Sequence, residues 1–181
     1  MRETTIHTEV IFEGKILSLE VLDVELEDGT RSRREVVRHP GAVGVVVEAA
    51  DGGYVFVRQY RKPLDRYMVE VVAGTLEAGE DGESCARREV EEETGYRVTA
   101  IRFLGVIFPT PGYVEEKIQL YAAKAEPVED SLGQDHDERV EAVLLSAAAF
   151  EEKVRSNEIQ DAKTLAAWFL YRTDQAEEGR P

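Results

Sequence analysis

The stretch on which the reading of this chain turns is Gly74–Tyr96, GTLEAGEDGESCARREVEEETGY. Seven of its 23 residues are Glu and one is Asp. Asp81 stands where a helix N-cap belongs, and acids follow it in the first turn, where the helix dipole favours negative charge. Gly95 suits the position just past a helix end. The spacing therefore predicts a helix over 82–94. Glu89, Glu91, Glu92 and Glu93 crowd into its last turns. Like charges at i,i+3 and i,i+4 destabilise a helix by roughly 0.2–0.5 kcal/mol per pair, and Glu89/Glu92 and Glu89/Glu93 are such pairs. Something outside the helix is expected to offset that repulsion.

At about 100° per residue, Glu89, Glu92 and Glu93 share one wedge of the helix about 100° wide. Glu91 points the other way and reads as a solvated surface charge. Three converging carboxylates make an oxygen-rich site suited to hard divalent cations such as Mg2+ or Mn2+. A cation there would turn mutual repulsion into attraction. A glutamate-rich helix taken alone is usually just a solvent-facing one.

The rest of the 181-residue chain bounds the possibilities. A formal net charge of -15 argues against a general nucleic-acid binder, which needs a basic footprint. A small anionic substrate is still compatible if cations or a few arginines neutralise it. The single cysteine, Cys85, allows no intrachain disulfide and reads as a small buried helix residue. MRETTIHTEV has no apolar core of signal-peptide length, and no run approaches a membrane span. A cytoplasmic protein with no membrane partner is the expectation.

Residues 4–38 alternate in the manner of strands, with Asp28-Gly29 as a hairpin turn. His39-Pro40-Gly41 breaks the pattern. The apolar run AVGVVVEAA then leads through Asp51-Gly52-Gly53 into YVFVRQYR. YMVEVVAG reads as one short strand, and YRVTAIRFLGVIF, EKIQLYAAKAE and RVEAVLLS as others. Helices are expected over 147–156 and 159–173, and TDQAEEGRP as a frayed tail. The expected organisation is a small β-domain over 1–39, a main domain over 40–173 and a flexible tail over 174–181.

Spacing shifts the balance away from a merely solvated helix. From Gly74 come five residues, Glu80, seven residues, Arg88-Glu89, Val90, one residue, Glu92-Glu93, one residue, Gly95 and Tyr96. This resembles the signature of the Nudix hydrolase family, with Tyr96 where an aliphatic residue is more usual. The resemblance implies an α/β fold, an α/β/α sandwich with a mixed β-sheet, here preceded by a small antiparallel β N-terminal domain. It implies hydrolysis of a nucleoside diphosphate linked to another moiety, with two or three Mg2+ ions, or Mn2+, per active site. Glu89, Glu92 and Glu93 match the metal ligands, Glu92 also counts as catalytic, and the Ala73 carbonyl matches a fourth ligand. Glu80 and Arg88 are similar to a pair that locks loop to helix, so with Gly74 and Gly95 they belong to the scaffold.

The flanks REVVRHPGAVGVV, VRQYRKP, EVVAGTLEAGE and PTPGYVEEKIQLYAA resemble the ADP-ribose pyrophosphatase branch over about residues 10–170. Pro111-Gly112 matches its proline-glycine marker, and Glu116 the acid of its substrate loop. By the same resemblance Arg61 contacts phosphates, although alone it reads equally as a strand-end surface arginine. Arg34 resembles an arginine at the adenine end, and reads at least as well as an exposed hairpin charge. Glu70 lines the site or pairs with an arginine. In GQDHDERV, Glu138 best matches the loop glutamate that activates water, with Asp135 and Asp137 close enough to compete. The implied activity is Mg2+-dependent hydrolysis of ADP-ribose to AMP and ribose 5-phosphate. Related nucleoside diphosphate sugars such as GDP-mannose, or a non-catalytic ADP-ribose-binding module, are the alternatives. The branch also implies a homodimer with exchanged N-terminal strands, for which apolar positions on both faces of VIFEGKILSLEVLDVEL give independent support.

Overall fold

The structure is a computed structural model and describes residues 2–50, 52–128 and 140–178, with the side chains of 177 and 178 excepted. The chain divides into two compact units. One comprises the chain up to Gly41 together with Phe108–Lys117; the other comprises Ala42–Ile107 and the chain from Ile118 onward.

The first unit is a three-stranded antiparallel sheet in the order β1 (Glu3–Glu13), β2 (Ser18–Leu26), β3 (Arg31–Arg38). Gly29 adopts a φ of 82° in the β2–β3 turn, a left-handed conformation that glycine enters without a Cβ penalty. The Thr30 N–H donates to Asp28 Oδ1 at 2.9 Å and completes the turn. Register shifts at Thr5/His7 and Val10/Phe12 make Ile6 and Ile11 bulges in β1. Segment Phe108–Lys117 is pinned to β3: the Val37 N–H donates to Tyr113 O at 2.8 Å, and the Glu115 N–H to Val37 O at 2.9 Å.

The second unit is built on a seven-stranded mixed sheet. Its strands are β4 (Ala42–Ala49), β5 (Tyr54–Arg61), β6 (Arg66–Glu70), β7 (Val72–Thr75), β8 (Tyr96–Ile107), β9 (Ile118–Pro127) and β10 (Val140–Leu145). The main path runs β10-β5-β4-β9-β8, with β6 paired to β5 and β7 to β4. Only β4 and β9 are parallel among these pairs, in register from Ala42↔Ile118 to Ala49↔Ala125. Both faces are covered, which explains why β4 reads as a continuous apolar run rather than an alternating one. Val43, Val45 and Val47 face α1 (Gly82–Thr94), together with Cys85, Ala86 and Val90. Ala42 and Val46 face α2 (Ala147–Arg155) and α3 (Ala162–Glu178), where Phe56, Phe150, Trp168 and Tyr171 form an aromatic cluster. The α/β/α sandwich expected from the sequence is the observed fold.

Three local expectations change. YMVEVVAG forms two strands, because the chain leaves β5 at Glu70 and joins β4 at Val72. The Val71 N–H between them is taken by Thr164 Oγ1 at 2.9 Å. The last helix starts at Ala162 and continues to Glu178, beyond the 159–173 indicated by apolar spacing. Its extra turn is held by Asp174 paired to Arg102 and by Gln175 Nε2 donating to Tyr171 Oη at 2.7 Å. Glu91 is not a free surface charge: Arg97 grips both its oxygens, Nη2 to Oε1 at 2.9 Å and Nε to Oε2 at 3.1 Å.

Candidate active site

Helix α1 begins where Asp81 Oδ1 accepts from the Glu83 and Ser84 N–H groups, each at 3.0 Å. It ends at Gly95, whose φ is 71° and whose N–H donates to Glu91 O at 3.0 Å. Its buried stripe is Gly82, Cys85, Ala86, Glu89, Val90 and Glu93. The spacing is that of any core-facing helix, yet two of the core positions hold carboxylates. Glu89 is 8% exposed and Glu93 is 5%. Buried acids need partners. Glu93 Oε2 accepts from the Ala73 N–H at 3.3 Å, and Glu89 Oε1 from Arg88 Nη1 at 2.7 Å.

Gly74 makes room for this arrangement. A Cβ at that residue would lie 1.9 Å from both Cδ and Oε1 of Glu89, where no real atom fits. Its φ is not in the left-handed region, so clearance rather than backbone conformation requires the glycine.

Arg88 organises the helix surface beside these acids. It forks onto Glu80, Nε to Oε1 and Nη2 to Oε2, both at 3.0 Å. Nη1 then bridges Glu89 Oε1 at 2.7 Å and Glu92 Oε2 at 3.0 Å. Part of the offset sought for the Glu89/Glu92 repulsion therefore lies within the helix itself. The Glu80 fork, then the Glu89 charge, push the Arg88 guanidinium well above its ordinary range; Arg88 in turn holds Glu80 below the usual carboxylate range. Burial, with Glu80 nearby, pushes the Cys85 thiol up to about 12, so it is an inert core residue.

On β5 and β6, Arg61 forks onto Glu70, Nε to Oε1 and Nη2 to Oε2, both at 2.7 Å. Of the two readings open for Glu70, this geometry is the pairing with an arginine. Glu70 is 1% exposed. Burial works to raise its pKa, but Arg61 and Lys163 together outweigh that and hold it below its ordinary value. The arginine keeps a side-chain exposure of 39%.

The first unit holds the remaining described candidates. Arg34 is engaged by Glu3, Nη2 to Oε1 at 2.5 Å and Nε to Oε2 at 3.0 Å, with Nη1 on Ser32 Oγ at 2.8 Å. Pro111 and Gly112 lie in the exposed turn ahead of Tyr113, and a Cβ on Gly112 would meet open space. Glu116 stands 3.9 Å from His39 Nδ1, which already accepts the Gly41 N–H at 3.1 Å. Its neighbour Glu115 pairs with Arg38. Glu138, Asp135 and Asp137 lie outside the described residues.

Among the described residues no three His, Cys, Asp or Glu side chains are grouped as a ready-made cation site. The donor set nevertheless fits a hard divalent cation. Glu93 packs against the Ala73 backbone, the Glu89 carboxylate fills the space a Gly74 Cβ would take, and all potential donors are oxygens. Residues 38–169 match the family model described as NUDIX domain, and residues 3–37 the one described as Nucleoside diphosphate sugar hydrolase N-terminal domain. The chain belongs to the Nudix hydrolase family.

Members of the Nudix family generally use divalent metals. The chain is similar to the methanol dehydrogenase activator of Bacillus methanolicus, 44% identical over 166 residues that span 91% of this chain and 90% of that one. It is similar to the ADP-ribose pyrophosphatase of Bacillus subtilis, 42% identical over 168 residues, 92% and 91% of the two chains. A crystal structure of an ADP compounds hydrolase superposes with a TM-score of 0.85 over 100% of this chain and 98% of that one; at 23% identity it shows the fold. No helix among the described residues is long and apolar enough to cross a membrane. Sequence reasoning missed two features of this Nudix unit: the reach of Arg88 to Glu92, and the attachment of Glu70 to Lys163. The first had a signal, since residues 88 and 92 are an i,i+4 pair. The second, across 93 residues, had none.

Proposed function

We propose that this Nudix hydrolase cleaves the pyrophosphate bond of ADP-ribose, giving AMP and ribose 5-phosphate, in the cytoplasm and with Mg2+ as its metal. The observation that carries the reading is the placement of Glu89 against Gly74 and of Glu93 against the Ala73 N–H, on a chain 42% identical to an ADP-ribose pyrophosphatase. Glu89, Glu92, Glu93 and the Ala73 carbonyl would hold two or three cations. Such ions supply charge neutralisation of the diphosphate and of the leaving phosphate. Arg61 would bind a phosphoryl oxygen through Nη1, which has no partner among the described residues. By the sequence resemblance Glu138 would take the proton from the attacking water, with Glu92, the most exposed of the three acids, as the other catalytic carboxylate. Roles for Arg34, Pro111, Gly112 and Glu116 as substrate contacts rest on the sequence resemblance.

A second reading, other nucleoside diphosphate sugars such as GDP-mannose, is supported by 34% identity over 154 residues to a GDP-mannose pyrophosphatase. Initial rates on a panel of such compounds, with Mg2+, with Mn2+ and in excess EDTA, separate the two. ADP-ribose should give the highest kcat/KM and EDTA should abolish it. A higher value for GDP-mannose would transfer the assignment to the second reading.

We also propose that the working form is a homodimer with exchanged N-terminal strands. Every residue of β1 is exposed, and Ile6, Val10, Ile11 and Phe12 are each 47–56% exposed on an edge strand. An uncovered apolar edge of this length is a pairing surface. Replacing Val10 and Phe12 by Glu should weaken dimerisation by about tenfold or more, since each charge must be buried in the interface. Sedimentation at micromolar concentration checks this. A wild-type chain that sediments as a stable monomer would overturn the dimer.

A further inference from the structure

The start of α3, with Asp161 just before it and Lys163 and Thr164 in its first turn, lies against the end of β6, a cluster to which neither the family signature nor its flanks assign a role. Asp161 caps the helix: Oδ2 accepts the Thr164 N–H at 2.9 Å and the Thr164 hydroxyl at 2.6 Å. The Thr164 Oγ1 in turn accepts the Val71 N–H. Lys163 Nζ lies 3.0 Å from Asp161 Oδ2 and pairs with Glu70 Oε2, the oxygen that also receives Arg61 Nη2. The result is a row of alternating charge, Asp161, Lys163, Glu70, Arg61. Side-chain exposure along it is 18%, 12%, 1% and 39%, so only the terminal arginine opens substantially to solvent.

We propose that Lys163 is a positioning residue for substrate binding: it shares the buried Glu70 carboxylate with Arg61 and keeps Arg61 able to hold a phosphoryl oxygen. This rests on the reading of the chain as a diphosphate hydrolase. The physical reason is charge balance. With Lys163 present, the row sums to zero, and Arg61 feels the negative charge of Glu70 already half-satisfied from the other side. With Lys163 gone, the row carries one net negative charge. The nearby charges of Asp161 and Glu93 also act on Arg61. An arginine drawn fully into that excess offers less to an incoming anion, and the anion meets a more negative wall. Lys163 does not itself touch substrate in this scheme.

The test compares Lys163→Met, Lys163→Gln and Lys163→Arg in the full chain. Both neutral variants should raise KM for ADP-ribose about tenfold or more while kcat stays within about twofold. Lys163→Arg should restore KM, because it returns the charge. Lys163→Gln keeps a donor for Glu70 without the charge, and serves if the Met variant unfolds. A purely structural role would instead lower the melting temperature and the active fraction, leaving the KM of the folded molecules unchanged. An unchanged KM in folded Lys163→Gln overturns the inference. A wild-type chain silent on every diphosphate sugar overturns the functional reading instead. In that case calorimetric binding of inorganic pyrophosphate decides, with binding by Lys163→Gln about tenfold weaker expected and equal binding fatal to the inference.

Discussion

Glu93→Gln should lower turnover of ADP-ribose by about a hundredfold or more, because under the proposed function it would remove one of the carboxylate oxygens that hold the metal. Fold stability should change little. The amide oxygen of Gln can still accept the Ala73 N–H, a hydrogen bond that Glu93 makes in the structure. Glu89→Gln should be comparably inactive, but with a different stability signature. Its carboxylate receives Arg88 Nη1 at 2.7 Å, so the change exchanges a charge-assisted bond for a neutral one. From the sequence, relief of like-charge repulsion alone would leave this variant as stable or slightly more so; the Arg88 bridge removes that gain. Glu91→Gln is the control. It shares the helix and the charge, but it is held by Arg97 and lies on the other side, so turnover should stay within about twofold. Steady-state rates across a metal titration, with melting curves in EDTA, read all three variants. Wild-type rates in both Glu89→Gln and Glu93→Gln would remove the site from α1.

Helix α1 was legible because its signals are local. Asp81, Gly95 and the 3.6-residue spacing of Cys85, Ala86 and Val90 each act within a turn or two of the residue concerned. The same holds for the β2–β3 hairpin at Asp28-Gly29. What the sequence could not show depends on partners distant along the chain. The parallel pairing of β4 with β9 joins segments more than seventy residues apart, and no local pattern names a strand's neighbour. Grouping of Phe108–Lys117 with the N-terminal strands rests on two backbone hydrogen bonds to Val37, which nearly any residue type could make, and on the Arg38–Glu115 pair, which no local pattern announces. In the candidate site, spacing brought out the three acids but not their different surroundings. Glu89 and Glu93 occupy core positions while Glu92 stays partly exposed, a distinction set by how closely β7 approaches the helix. Glu70 and Arg61 were legible only as alternatives, since burial decides between a lining residue and a paired one. The 1% exposure of Glu70 shows why its charge needs two cations.

Gly74→Ala should lower turnover by about tenfold to a hundredfold while leaving the chain folded, since loss of a positioned catalytic group is worth a few kcal/mol. The added Cβ would sit 1.9 Å from Glu89 Cδ and Oε1 and 2.4 Å from Cγ, so something must yield. Strand β7 is a poor candidate. Gly74 pairs with Val43 and Ala73 with Gly44, and the adjoining Val71 and Val72 are fully buried. Helix α1 is equally fixed by Cys85, Ala86 and Val90, all at 0% exposure. The flexible end of Glu89 therefore moves, and overpacking of this kind costs about 1–3 kcal/mol. A double-mutant cycle with Glu89→Ala separates clearance from a generic strand defect. Truncating Glu89 removes the atoms the new methyl would strike, so Gly74→Ala should destabilise the Glu89→Ala background far less than the wild type. If the two penalties are equal, the glycine serves the backbone rather than the carboxylate. If Gly74→Ala turns over ADP-ribose at the wild-type rate, Glu89 need not occupy the position in which the structure places it.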